Sequence, residues 1–378
     1  MSVNQALVLA ALTAMLDFHS TLAISESYVD FLERKPTMSL RSLYHISQAY
    51  ALVNQKLSSP ESIADHAIAS VVSLVIYQQI HSQDSVGITH LNGLCRMIKL
   101  RGGIDRLMQE NRALALKPLR YAEAPLCLAH SLTLTIARLD LELTLRTGLP
   151  SMFHDSALFS NILSTDCEDY TGQSRIPAAS TADAMLETSR FAKLLNYIGE
   201  DGRPKLDGLE YTERLLSLLY RLLDGCQYTA WLDHEGNHYD SLVYLALLAF
   251  MTTLLPEYGR DSTSYPLLTD RLNSAINHID VTTEDTQGPG LSLLLWALFM
   301  SGLSSLPENR PLSLLIPGTC RQLGLYDWPA VRDELCRYPW VSTLHDFPGQ
   351  SLWEQGQAQK CVVGYGEERR ACDGGEKP

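Results

Sequence analysis

The sequence predicts an all-α fold, a large helical domain of antiparallel helix pairs in two halves followed by a disordered C-terminal tail. Three observations predict it. Leu40, Leu43, Ile46, Tyr50 and Val53 recur at steps of three and four, which draws one apolar stripe along a helix. Alternating strand-like runs bounded by turn dipeptides are scarce. Helix starts are marked, as where Ser59-Pro60-Glu61 precedes IADHAIASVVSLVIYQQI. Proline at a first helical position loses no needed N–H, so this order starts a helix there.

The elements follow in order. SLRSLYHISQAYALVNQKL precedes that start and carries the stripe. Further helices are expected over 125–146, 183–198, 209–223, 239–255, 267–279, 291–303 and 328–338. Between about 154 and 182 the composition shifts to Ser, Thr, Asp and Gly, as in STDCEDYTGQSRIPAASTA, which reads as a polar surface loop between two helical halves. One helical domain is therefore expected over 1–355. The polar stretch 356–378 is expected to be a flexible tail. No internal repeat of about 20 to 50 residues is visible, which argues against a regular solenoid.

Charge and cysteine usage narrow the function. Forty-three acidic against 30 basic residues leave a net charge of -13. Such a chain is repelled by phosphate backbones and by anionic membrane surfaces, so no direct nucleic-acid or membrane binding is expected. The eight cysteines stand at least 11 residues apart, so C-x-x-C is absent, and with it zinc ribbons and thioredoxin-like motifs. Several sit among apolar residues, as Cys95 and Cys127 do, which fits reduced thiols acting as small hydrophobes. The N-terminus lacks a basic n-region, and Asp17 and His19 interrupt its apolar run, unlike a secretory signal. In the uncharged window 286–307 only LSLLLWALFM is strongly apolar, too short for a bilayer core of about 30 Å.

One catalytic-looking motif is present. Asp233-His234-Glu235-Gly236-Asn237-His238 contains H-E-x-x-H, which on a helix sets two imidazoles on one face for zinc with the Glu as general base. Gly236 costs about 1 kcal/mol against Ala inside a helix, and Asn237 is also unfavourable. The stretch falls between two expected helices, where a loop would not hold the one-turn offset. Downstream, His278 is the only His before His345. The motif is therefore read as an accidental match in a loop. No G-x-S-x-G, Walker A loop or G-x-G-x-x-G occurs; Gly364-Tyr365-Gly366 begins like the last but has no strand before it. No catalytic residue, cofactor-binding residue or metal ligand is assigned, and no cofactor is expected.

The more informative stretch is His90-Leu91-Asn92-Gly93-Leu94-Cys95-Arg96-Met97-Ile98-Lys99-Leu100-Arg101-Gly102-Gly103-Ile104. It reads as an amphipathic helix with Ile88, Leu91, Leu94, Cys95 and Ile98 on one face. Gly102 or Gly103 supplies a left-handed stop, Ile104 packs back on the last turn, and Lys99 and Arg101 suit the negative end of the helix dipole.

HLNGLCRMIKLRGGIDRL also resembles a segment of fungal-specific transcription factor domains. The two helices before it, TIARLDLELTLRTGLPSMF after it, and YPWVSTLHDFPGQSLWEQ near the end are similar to further segments of that family, in the same order. The resemblance spans most of 1–355. It implies an all-α regulatory domain, nuclear control of transcription, often of metabolic or secondary-metabolite genes, and no enzyme activity. Protein partners are implied too, either a DNA-binding zinc-cluster factor or a homodimer. Members usually carry six closely spaced cysteines that bind zinc and DNA, whereas here no cysteine precedes Cys95. Either the chain is a stand-alone regulatory domain, or an upstream exon is missing. The alternative is a helical enzyme or metabolite-binding protein whose site is built from distant residues.

Purified protein is expected to hold no stoichiometric zinc, and His234→Ala to leave its metal content and stability unchanged. Elemental analysis finding one zinc per chain, lost in the variant, would overturn the loop reading.

Overall fold

The computed structural model describes residues 3–107 apart from 34, 36, 61, 82 and 105, then 136–152 and 181–225 apart from 201 and 207, and finally 238–255, 265–278, 289–304 and 315–372. Among these residues there are thirteen helices and no strand. The chain divides into two compact units. The first comprises Met1–Cys167 with Thr212–Ser217 and Pro256–Thr263; the second comprises Glu168–Tyr211, Leu218–Leu255 and Ser264–Pro378. The polar loop expected over 154–182 lies outside the described residues except at 181 and 182.

In the first unit α1 (Val3–Leu32) and α2 (Leu40–Leu57) form an antiparallel hairpin, which packs on α3 (Asp65–Ile80). The turn of the hairpin is fixed by Asp30, only 1% exposed, whose carboxylate accepts the Ser39 backbone N–H at 2.8 Å and the Lys35 ammonium at 3.1 Å. Ser39 in turn caps α2, its side chain accepting the Ser42 N–H. Burial acts to raise the Asp30 pKa, but the amide and ammonium donors outweigh it and hold the carboxyl below its usual value. The predicted stripe holds at Ile46 and Val53, which are buried; Leu40 and Leu43 are instead exposed. The inward face of α2 is set by Ser42, Ile46, Ala49, Val53 and Lys56.

The helix expected from Pro60 starts at Asp65 instead. The Ser59 hydroxyl donates back to the Lys56 carbonyl, and the Ser62 N–H closes a turn on the Ser59 carbonyl before the helix begins. Helix α3 then runs nearly fully buried from Ala67 to Tyr77, packed against α4 (Asp84–Arg101) and α5 (Ile136–Thr147). Of the helix expected over 125–146, residues 125–135 lie outside the described residues.

Helix α4 ends as its sequence predicts. Gly102 is left-handed (φ 105°, ψ 17°), its N–H bonded to the Lys99 carbonyl, while Gly103 N–H bonds the Ile98 carbonyl. This is the paired bonding of a Schellman cap, and Ile104 is buried beside it.

The second unit is built on α8 (His238–Thr253) and α10 (Pro289–Ser304), which pack together. From Leu242 to Met251 and from Leu294 to Met300 every residue is buried. α6 (Thr181–Gly199) and α9 (Pro266–Asn277) lie against α8, and α9, α11 (Ile316–Gln322) and α12 (Trp328–Leu335) against α10. α7 (Gly208–Gly225) precedes α8 in the chain. The last helix, α13 (Ser342–Cys372), packs on α6, α10, α11 and α12. Gly349 lets it approach: a Cβ there would lie 3.0 Å from both Trp328 and Trp340. The tail expected over 356–378 overlaps the end of α13, whose side chains from 359 onward, like residues 373–378, are outside the described residues.

The cap on α4 gives a stability test. A β-branched side chain at Gly102 must take a strained left-handed backbone, so Gly102→Val is expected to cost about 1–2 kcal/mol. The exposed Arg106 can yield to the added methyls, which leaves backbone strain as the main cost, and Arg106→Ala is expected to change little. Thermal melts of both variants check this; a Gly102→Val melt equal to that of the unaltered chain counts against the cap.

Candidate functional site

Cys95 and Cys320 are buried, and burial pushes both thiols up to about 12, so neither is a thiolate near neutral pH. Of the H-E-x-x-H stretch, residues 233–237 lie outside the described residues, and His238 is the first residue of α8. The described residues hold no group of three or more His, Cys, Asp or Glu placed to bind a metal.

Charges are buried in α5, and each has a structural use. Arg138 pairs with Glu142 one turn later, both almost fully buried. Asp140 accepts the Ser151 hydroxyl at 2.7 Å and the Met152 backbone N–H at 2.9 Å, tying the Gly148-Leu149-Pro150 turn back onto the helix. That turn sets the Met152 sulfur against Cys95 of α4. The cleft between α3, α4 and α5 is lined by Gln79, Gln83, Leu91, Leu139 and Arg146 among others. Its cavity volume of about 10 Å³ holds roughly one water, too little for a cofactor.

The histidines of the resembling segments are packing joints. His90 of α4 stacks on Tyr50 of α2 at 5.6 Å, and the Tyr50 hydroxyl accepts the Gln78 side-chain amide from α3. His345 of α13 sits in the second unit's tightest polar network. Its Nδ1 accepts the Val341 N–H at 3.0 Å, so the neutral ring carries its proton on Nε2 and donates it to Thr253 at 2.8 Å. Thr253 donates onward to the Phe250 carbonyl. Beside it Asp346 accepts from the Trp340 indole at 2.7 Å and from Arg332 at 2.9 Å. Asn196 of α6 donates to the Trp340 carbonyl and accepts the Ser342 N–H. The segment YPWVSTLHDF thus fastens α13 to α6, α8 and α12.

What the described surface does offer is an apolar face. On α1, Met15, Phe18, Val29 and Leu32 are exposed along one side; on α2, Leu40, Leu43 and Tyr44 are. Phe18 and Tyr44 flank a histidine pair, His19 and His45, whose Nδ1 atoms lie 2.8 Å apart. One ring donates to the other. Burial and the neighbouring His19 hold His45 below its usual pKa. The sequence signalled α4 and the closing segment but not this face, because Leu40, Leu43 and Tyr50 read as one inward stripe.

A family model for the fungal specific transcription factor domain matches residues 3–315. The chain belongs to that family. Comparison with curated proteins and with solved structures gives no match. The family match covers α1 to α10, including the α4 and α5 segments, and stops short of YPWVSTLHDF, whose likeness to the family rests on its residues alone. The described helices include none long and apolar enough to cross a membrane.

The network around His345 titrates. Burial lowers its pKa to about 4, against the pull of Asp346. In the unfolded chain the ring protonates near 6.5, so the unfolded state binds more protons between the two values. Stability from this group is complete above about pH 6.5 and falls as pH drops toward 4. Urea unfolding at pH 7 and pH 5 is expected to show a loss of about 2 kcal/mol from this residue. His345→Gln is expected to be less stable at pH 7 but to lose less on acidification; an unchanged pH dependence would rule His345 out as its source.

Proposed function

We propose that this family member acts in the nucleus through protein contacts, with a DNA-binding zinc-cluster factor as partner and a metabolic or secondary-metabolite gene set as target. The family match over residues 3–315 carries the regulatory role, since the family is one of transcription factor regulatory domains. It favours regulation over catalysis. The described residues are in keeping with that, their buried charges and histidines being engaged in packing.

The partner is argued from charge. A chain of -13 lacks the basic footprint that duplex DNA requires, and its cysteines are too widely spaced for a zinc cluster of the family's kind. Contact with promoter DNA is then supplied by another protein docked on the helical surface.

The isolated 378-residue chain is expected to show no sequence-specific binding to duplex DNA at physiological salt. Affinity purification from the native cell is expected to recover a DNA-binding protein, and deletion of the gene to change transcript levels of a defined set. Nanomolar, sequence-selective binding by the pure chain would overturn the partner. An unchanged transcriptome in the deletion strain under inducing conditions would overturn the regulatory reading.

A further inference from the structure

We propose that Thr37, in the turn between α1 and α2, is a phosphorylation site for a protein kinase that reads basic residues ahead of its target. The phosphate draws Lys35 away from Asp30 and loosens the turn. This follows from the turn alone and does not rest on the regulatory reading.

A kinase must seat a non-helical stretch of chain and reach a hydroxyl whose proton it can take. α1 ends at Leu32 and α2 begins at Leu40, so Thr37 stands outside both helices, and its side chain is exposed. Ser47, Ser58 and Thr89 are exposed too. Each of these, however, donates to a backbone carbonyl behind it, at Tyr44, Asn54 and Ser85 respectively. Ser39, the neighbouring hydroxyl in the turn, is taken up in capping α2, its oxygen accepting the Ser42 N–H at 3.1 Å.

Charge selects the same residue. The sequence holds two adjacent basic pairs, Arg34-Lys35 and Arg369-Arg370, and only the first is followed by a Ser or Thr. Thr37 lies three positions after Arg34 and two after Lys35. In a chain of net charge -13 this is a local reversal of sign, and kinases select substrates by such charge patterns. The Lys35 side chain is 46% exposed, within reach of an acidic groove.

In the transfer, the bond from the γ-phosphorus of ATP to its β,γ-bridging oxygen breaks as a bond forms to Oγ1 of Thr37. ADP leaves with the bridging oxygen, and the hydroxyl proton passes to the kinase's carboxylate. The consequence lies at Asp30, which accepts the Lys35 ammonium at 3.1 Å and the Ser39 N–H at 2.8 Å. That ammonium is already shared with Glu33 at 2.6 Å. A phosphate brings a charge of about −1.5 to −2 two residues away and outcompetes a single carboxylate for it. Asp30, only 1% exposed, is left with one donor fewer and a new like charge nearby. Its hold on Ser39 weakens.

The full chain, incubated with magnesium-ATP and the catalytic subunit of a cyclic-AMP-dependent kinase, tests this. Stoichiometric phosphate is expected, placed at Thr37 by fragment-ion mass spectrometry, which separates it from Ser39. Thr37→Ala is expected to abolish incorporation and Thr37→Ser to retain it. Arg34→Ala is expected to lower the kinase's kcat/KM at least about tenfold. Circular dichroism confirms that each variant is folded. Hydrogen exchange at the Ser39 amide is expected to be at least about tenfold faster in the phosphorylated chain than after phosphatase treatment. Absence of phosphate at Thr37, or incorporation that Thr37→Ala leaves intact, overturns the site. An undiminished rate with Arg34→Ala overturns the basic-directed kinase, and unchanged exchange at Ser39 overturns the loosened turn.

Discussion

Buried carboxylates that tie a turn to a helix fix much of this structure. The helix surfaces that meet in the interior are mostly Leu, Ile, Val and Ala, and such surfaces slide past one another at little cost. A carboxylate holding two donors does not slide. Asp30 closes the α1–α2 hairpin by holding Ser39 and Lys35. Asp140 folds residues 151 and 152 back onto α5. Asp346, less deeply buried, joins Trp340 and Arg332 where α13 begins. Breaking one of these leaves part-buried donors, the Trp340 indole the deepest of them, without their acceptor, which costs more than a lost contact between fully exposed groups.

This division of labour explains what was legible in the sequence. Helix α4 was legible because its apolar face and its Gly102-Gly103 stop agree at the local level. α8 and α10 were legible as long apolar runs between turn residues. α1 was not, because apolar residues surround it on all sides, so periodicity distinguishes no face. The start of α3 was misplaced because a turn closes from Ser62 back onto Ser59 before the helix begins, which the letters Ser-Pro-Glu do not reveal. Continuous helix through Pro348 was equally hidden. That proline forfeits one bond to the Leu344 carbonyl, and packing of Gly349 against Trp328 and Trp340 compensates from outside the helix.

The same reasoning separates structural polarity from chemistry. Buried charges and shifted histidines are where function is usually sought. Here Arg138 and Glu142 neutralise each other inside α5, and His345 sits neutral between Val341 and Thr253. Family membership, carried by residues 3–315, points to regulation. Nothing in a single sequence distinguishes an apolar residue facing inward from one facing a partner, so Leu40 and Leu43 were assigned to the same stripe as Ile46 and Val53.

Charge then divides the chain by what it can touch. Residues 58–378 hold 39 acidic and 26 basic side chains, whereas residues 1–57 are balanced. Repulsion among exposed charges decays over about 8 Å at physiological ionic strength, so it governs the approach of surfaces more than contacts already made. Net negative charge of this kind slows the approach of phosphate backbones and favours that of basic surfaces. A neutral apolar face has the opposite selectivity: it gains by excluding water and is indifferent to the partner's net charge. The two kinds of surface can be occupied together, because what draws a partner to one has no bearing on the other.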